Sequence, residues 1–135
     1  MTTAPRWITK AAVLLLHEES IATFGGARGL SEEGLLDSAL ARARNAHACH
    51  PEKSIAELAA TYAFGLAKNH AFVDGNQRAA FLSLGVFLAI NGFTLNAAQP
   101  DAIRTMLAVA NGDLDEDALA SWIQGNSRLV ETRRA

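Results

Sequence analysis

Apolar residues recur along this chain in helix-length runs, rich in alanine and leucine and separated by glycine, proline and asparagine. Alanine and leucine are strong helix formers, and this punctuation predicts an all-α fold. Thr9 suits the N-cap of a first helix to about Phe24, ended by Gly25-Gly26, with Ala12, Val13, Leu16, Ser20 and Phe24 as its inward stripe. Ser31 caps a second helix to about Ala46, with Leu35, Leu36, Ala39 and Leu40 inward, and the stretch 46–53 around Pro51 reads as loop. Ser54 and Glu57 have capping-box spacing and open a third helix, carried by Ile55, Leu58, Ala59, Tyr62, Phe64 and Leu66 to about Asn69. The fourth helix, Asn76 to Ile90, is apolar almost all round and so belongs in the centre of the domain; Asn91-Gly92 stops it. Phe93-Thr94-Leu95 reads as a short extended piece, and a fifth helix spans about Pro100 to Ala110. A sixth starts near Asp115, whose neighbours Glu116 and Asp117 suit its dipole, and includes Leu119, Trp122 and Ile123. The expected architecture is a compact single-domain bundle of about six helices around a central apolar helix. It occupies residues 1–128, with a polar tail at 129–135 expected to fray.

With 135 residues, half of them hydrophobic, the chain can build one real core. Its 12 basic and 14 acidic residues give a net charge of −2, which lends no support to a broad nucleic-acid or membrane surface. Cys49 is the single cysteine, so no internal disulfide forms, and a reducing compartment fits. No apolar run approaches 18 residues and residues 1–6 lack a hydrophobic signal region, so the expected location is the cytoplasm.

The chemistry concentrates in His70-Ala71-Phe72-Val73-Asp74-Gly75-Asn76-Gln77-Arg78, between the third and fourth helices. A glycine-containing turn feeding a helix N-terminus is a ready anion site, because free N–H groups and the positive end of the dipole converge there. Gly75 lets the chain approach a phosphate without a Cβ, and amides from about Val73 to Gln77 are expected to form a phosphate nest. Asn76 orients the loop or donates to a phosphate oxygen, and Arg78 offers its planar fork. A cation at a helix N-terminus needs a partner, and a bound anion is the natural one. Asp74 is a hard oxygen ligand able to hold Mg²⁺ with phosphates and water completing the octahedron, and His70 is the candidate general base. Taken singly, each residue also has a plain reading: Gly75-Asn76 as a turn and cap, His70 as a charge at a helix C-terminus.

Together, H-x-F-x-D-G-N-x-R resembles the signature of the Fic family, H-x-F-x-[DE]-G-N-G-R-x-x-R. It is closer still to the shorter H-x-F-x-D-[AG]-N-K-R of the death-on-curing (Doc) branch, small toxins of toxin–antitoxin pairs. The likeness covers roughly residues 7–128, including Phe24-Gly25-Gly26-Ala27-Arg28-Gly29-Leu30-Ser31 upstream. It implies a Fic/Doc-like fold, ATP as phosphate donor, Mg²⁺ on Asp74, and His70 as base. The protein substrate is expected to be elongation factor Tu, modified on a threonine. It further implies a nucleotide held by Gly75, Asn76, Gln77, Arg78 and Lys68, the last standing where the branch carries an arginine. Gln77 departs from both the Fic glycine and the Doc lysine, and Phe81 stands at the second Fic arginine, which removes a contact that favours AMP transfer. The alternatives are AMP transfer and a catalytically weak module within an antitoxin–repressor complex. The in-cis inhibitory pattern [ST]-x-x-x-E-[GN] does not occur, so restraint is expected from a separate antitoxin whose disordered C-terminal segment folds into a groove near the site.

Other candidates carry less. His47 and His50 lack a third ligand at metal spacing, Cys49 lacks a nucleophile's partner, and Trp7 and Trp122 read as core caps. His17-Glu18-Glu19 is not an H-E-x-x-H motif, and His17 reads as a polar-face or packing residue. The Gly25–Gly29 segment reads either as a plain interhelical loop or, by the resemblance, as a flap lining a substrate protein against the site.

Overall fold

A computed structural model describes residues 4–130. It runs α1 (Lys10–Phe24), α2 (Glu33–Cys49), α3 (Ile55–Asn69), α4 (Asn76–Ile90), β1 (Phe93–Leu95), α5 (Gln99–Ala110), α6 (Glu116–Asn126) and β2 (Ser127–Leu129). The fold is an all-α bundle of six helices, trimmed by one two-stranded antiparallel ribbon that sets Phe93 opposite Leu129 and Leu95 opposite Ser127.

Where the start signal is local, the helix begins where the chain predicts. The Thr9 hydroxyl accepts from the Ala12 N–H at 3.1 Å, and the Asp115 carboxylate accepts from the Ala118 N–H at 2.8 Å. Ser54 and Glu57 close a full capping box: Ser54 Oγ accepts from the Glu57 N–H at 3.1 Å, and Glu57 Oε1 accepts from the Ser54 N–H at 3.0 Å.

Four expectations are corrected. Ser31 does not cap α2; its N–H donates to the Ala71 carbonyl at 2.7 Å, and the helix starts at Glu33 after Glu32 as its N-cap. The same helix runs past Ala46 to Cys49, ending just before Pro51. Phe24 does not face inward: it is 67% exposed, because α1 ends there and the chain leaves the core through Gly25-Gly26. The expected tail boundary falls inside β2, since Ser127–Leu129 are held against β1; residues 131–135 lie outside the described chain.

Helix α4 buries Ala79, Ala80, Ser83, Leu84, Phe87 and Leu88, while Phe81 and Leu82 on its other face line an open groove. It shares the centre with α3, which is enclosed still further and packs on α2, α4, α5 and α6. Alanines at 59, 60, 63 and 67 let those neighbours approach, while Tyr62 fills the space beside Phe87 and Trp7. Trp7 thus closes one end of the core, and Trp122 packs on it with its indole N–H donating to Asp101 at 3.0 Å. A polar clamp joins three helices: Glu116 accepts from Arg42 and from Thr61 Oγ1, each at 2.8 Å. Among the described residues no helix is long and apolar enough to cross a membrane.

The Glu57 carboxyl is held below the usual glutamate range, chiefly by the Ser54 N–H, against the opposing effect of desolvation. A carboxyl depressed on folding contributes stability above its unfolded pKa and loses it as pH falls through the folded value. Ser54→Ala should cost about 1 kcal/mol at neutral pH. Glu57→Gln should flatten the loss of stability on the acid side of the glutamate range, as read by urea denaturation across a pH series.

Candidate active site

Both ends of the motif loop are set by buried helices. α3 ends at Asn69, and His70 follows as its C-cap in the left-handed region (φ 53°, ψ 46°), the one described non-glycine residue with positive φ. This conformation turns the chain out of the helix and leaves the imidazole exposed. Ala71 and Phe72 then dive into the core. Residues 29–32 pair with them: Val73 N–H donates to Gly29 O, Ser31 N–H to Ala71 O, and Leu30 bridges Phe72. The Gly25–Gly29 segment therefore lies directly against the motif loop.

Asn76 closes the loop on itself. Its Oδ1 accepts from the Phe72 N–H and its Nδ2 donates to the Phe72 carbonyl, both at 3.0 Å. The side chain thus satisfies both polar groups of a buried residue four positions back, so Asn76 acts as the orienter of the loop.

Gly75 sits at φ 74°, and a Cβ there would meet Ile21 Cδ1 at 3.1 Å and Arg78 Nη2 at 3.3 Å. Both the backbone conformation and the close approach favour glycine here. Asp74 is exposed, with Oδ1 accepting from the Gly75 N–H at 2.8 Å and Oδ2 from the Ala27 N–H at 3.3 Å. The approach of the Gly25–Gly29 segment is tighter still, for a Cβ on Gly26 would lie 2.7 Å from Asp74 Oδ2.

The expected phosphate nest is narrower than the span from Val73 to Gln77. The Val73 amide is committed to Gly29 and the Gly75 amide to the Asp74 carboxylate. What stays open is the start of α4, which has no side-chain cap, so the amides of Asn76, Gln77 and Arg78 have no partner among the described residues. Arg78, expected to need an anion, finds a partner within the fold. Its Nη2 donates to Gly25 O at 2.9 Å and its guanidinium lies 5.6 Å over the Phe24 ring. A cation misplaced at the N-terminus of α4 is thereby well placed at the C-terminus of α1. Its Nε is buried without a partner.

Gln77 is exposed and, with Arg78 and Phe81, edges an apolar groove of about 520 Å³ that Phe24, Ile103, Met106 and Leu107 also line. Lys68, in the last turn of α3, is exposed; its Nζ points toward the α5–α6 turn, 3.9 Å from where a Cβ on Gly112 would lie. The structure therefore sets Asp74, Gly75, Asn76 and Arg78 together at one turn, with Asp74 bonded to Gly75, Asn76 to Phe72 and Arg78 to Gly25; His70 and Gln77 flank them, and Lys68 points away toward the α5–α6 turn.

Residues 7–88 match the Fic/DOC family. The chain belongs to the Fic/Doc family. It is 37% identical over 113 residues to Toxin Doc of Mycolicibacterium smegmatis (strain ATCC 700084 / mc(2)155), covering 81% of this chain and 86% of that protein. It is 27% identical over 119 residues to Protein kinase doc of Escherichia phage P1, covering 88% and 94% respectively. These relatives place it on the Doc toxin branch of the family.

His17, read from the sequence as a polar-face or packing residue, touches the Asp74–Gly75 turn, as do Gly26 and Ala27 of the segment that the resemblance set beside the site. They lie 47 to 57 residues upstream in the chain, and no periodicity or spacing connects them to the motif.

The Asn76 clasp can be tested by splitting its two bonds. Asn76→Asp keeps the acceptor for the Phe72 N–H but opposes an oxygen to the Phe72 carbonyl, and should cost about 1–3 kcal/mol of stability. Asn76→Ala should in addition speed hydrogen exchange at the Phe72 amide. An unchanged Phe72 exchange rate in Asn76→Ala would show that the side chain does not hold the loop.

Proposed function

We propose that this Doc-branch protein is the toxin of a toxin–antitoxin pair and transfers the γ-phosphate of ATP to a protein hydroxyl, with elongation factor Tu as the target. The observation that carries this reading is the uncapped first turn of α4, opening directly from the Asp74–Gly75 turn with Arg78 beside it. Three unpartnered amides and the positive end of a buried helix favour a phosphate without reorganisation.

Asp74 suits a single Mg²⁺ contact. Each of its carboxylate oxygens accepts one amide and keeps a lone pair open, and no group of three His, Cys, Asp or Glu side chains able to hold a metal occurs among the described residues. Asp74 would hold the cation, with nucleotide oxygens and water as its other ligands, and the ion would supply charge neutralisation at the phosphates. The amides of Asn76, Gln77 and Arg78 bind the phosphates, Gly75 leaves them room to approach, and Lys68 adds positive charge at the end of α3. The exposed His70 takes the proton of the target hydroxyl, whose oxygen attacks the γ-phosphorus as the bond to the ADP oxygen breaks, a contribution of about 10²–10⁴ in rate. The Gly25–Gly29 segment, lying against the loop, aligns the target chain. The apolar groove beside Gln77 and Arg78, rimmed by the exposed Phe24, Ile103 and Leu107, supports docking of an antitoxin segment that folds on binding.

Because His70 occupies the left-handed region, an alanine there would add backbone strain to the loss of the base, whereas asparagine tolerates that conformation. His70→Asn should abolish transfer of label from γ-labelled ATP to lysate protein and abolish toxicity at equal expression, with the helical circular-dichroism signal and melting intact. Transfer of α-label by the wild-type protein would replace this reading with AMP transfer, and transfer of neither label would leave a binding module. Gln77→Lys tests the same site from the charge side. A charged donor is roughly twice as strong as a neutral one, so the γ-transfer rate should rise tenfold for every ~1.4 kcal/mol of added transition-state stabilisation. A fall in γ-transfer, or a shift to α-label, means the loop does not hold ATP in the proposed orientation.

A further inference from the structure

His17 is buried at 4% exposure on α1, yet its ring reaches the motif loop. Its Nε2 lies 2.7 Å from the Asp74 carbonyl oxygen, and its plane stacks on Phe72 with centroids 3.7 Å apart and an 11° tilt. A carbonyl oxygen only accepts, so Nε2 carries the hydrogen and donates. Phe72 is itself fixed, through Asn76 on one side and the bridge to Leu30 on the other. The imidazole is therefore held in both plane and reach.

What the bond controls follows from peptide geometry. The Asp74 carbonyl and the Gly75 N–H belong to one planar trans peptide and point in opposite directions. Drawing the carbonyl inward to His17 turns the Gly75 N–H outward, where it donates to Asp74 Oδ1 at 2.8 Å. Gly75 has no Cβ, so nothing intrinsic to it prevents this peptide from turning over, which would point the amide at α1 and the carbonyl oxygen toward the carboxylate. A carbonyl facing that way would repel both the Asp74 carboxylate and any phosphate at the start of α4. The selecting contact comes from another helix.

We infer that His17 is a positioning residue that locks the orientation of the Asp74–Gly75 peptide, and through it the Asp74 carboxylate and the anion-facing start of α4. The consequence for catalysis rests on the phosphotransfer reading above; the consequence for the peptide does not. Two variants separate the ring from its hydrogen bond. His17→Phe keeps the stack on Phe72 and removes the donor, while His17→Gln places an amide N–H near the position of Nε2 and removes the ring. Should the phenyl ring not be accommodated, His17→Leu supplies the donor-less arm.

Hydrogen exchange at the Gly75 amide is the first readout. It should quicken in His17→Phe and stay slow in His17→Gln. γ-Phosphate transfer titrated with Mg²⁺ is the second. His17→Phe should need about 10–100-fold more Mg²⁺ for half-maximal rate, the usual size of an effect through an orienting partner, with His17→Gln recovering most of the loss. Unchanged Gly75 exchange in the donor-less variant, or equal losses in Phe and Gln variants, overturns the inference. Asp74→Asn serves as the control: if it leaves the Mg²⁺ titration unmoved while Gly75 exchange responds to His17, the phosphotransfer reading fails and the peptide lock stands.

Discussion

Two buried helices, α3 and α4, are joined by only six residues, 70–75. Neither helix can shift to relieve that connection, because each is packed on several others. The loop must therefore reverse the chain in conformations that ordinary residues avoid, and it does so with His70 and Gly75, both at positive φ. Every polar group in the stretch that enters the core needs a partner, and short loops have few to offer. The partners come from Asn76 within the loop, from residues 29–32 beside it, and from His17 beneath it. A site held this way is rigid before any ligand arrives, the arrangement that makes charge stabilisation cheap during reaction.

How much of this was legible depends on the range of the signal. Thr9, Ser54 with Glu57, and Asp115 act on amides three residues away, so their helices were readable to within a residue. Ser31 has the same residue chemistry, but its amide is claimed by Ala71, 40 positions on, and a pairing of that separation leaves no local trace. Phe24 was misplaced for a related reason: helical periodicity assigns a face without knowing where the neighbouring helix stops covering it. β2 is three residues long and exists because β1 is there to pair with it.

The candidate site was legible in its residue types because the motif is contiguous; its wiring was not. Arg78 shows the difference. From the sequence, a cation in the first turn of α4 demanded an anion. In the fold, the carbonyl of Gly25 at the end of α1 meets part of that demand, and Phe24 receives the guanidinium face. Arg78 thus ties the flap to the loop as well as offering charge. The same holds for Asp74, whose carboxylate is shared between its own turn and the flap amide of Ala27.

This sharing has an electrostatic consequence for the proposed transfer. With Gln77 neutral, Phe81 apolar and Lys68 directed at the α5–α6 turn, the cationic side chain at the start of α4 is Arg78, and its hydrogen bond goes to the Gly25 carbonyl. Charge on a transferring phosphate would then be met mainly by the amides of Asn76, Gln77 and Arg78 and by the dipole of α4, which act over the first turn only. Fixed dipoles lose their value if they rotate, whereas a long cationic side chain can follow its target. A site that depends on amides must therefore hold its backbone more tightly than one furnished with lysine or a second arginine. The clasp at Asn76, the backbone hydrogen bonds from residues 29–32 and the hydrogen bond from His17 are the contacts that meet this requirement.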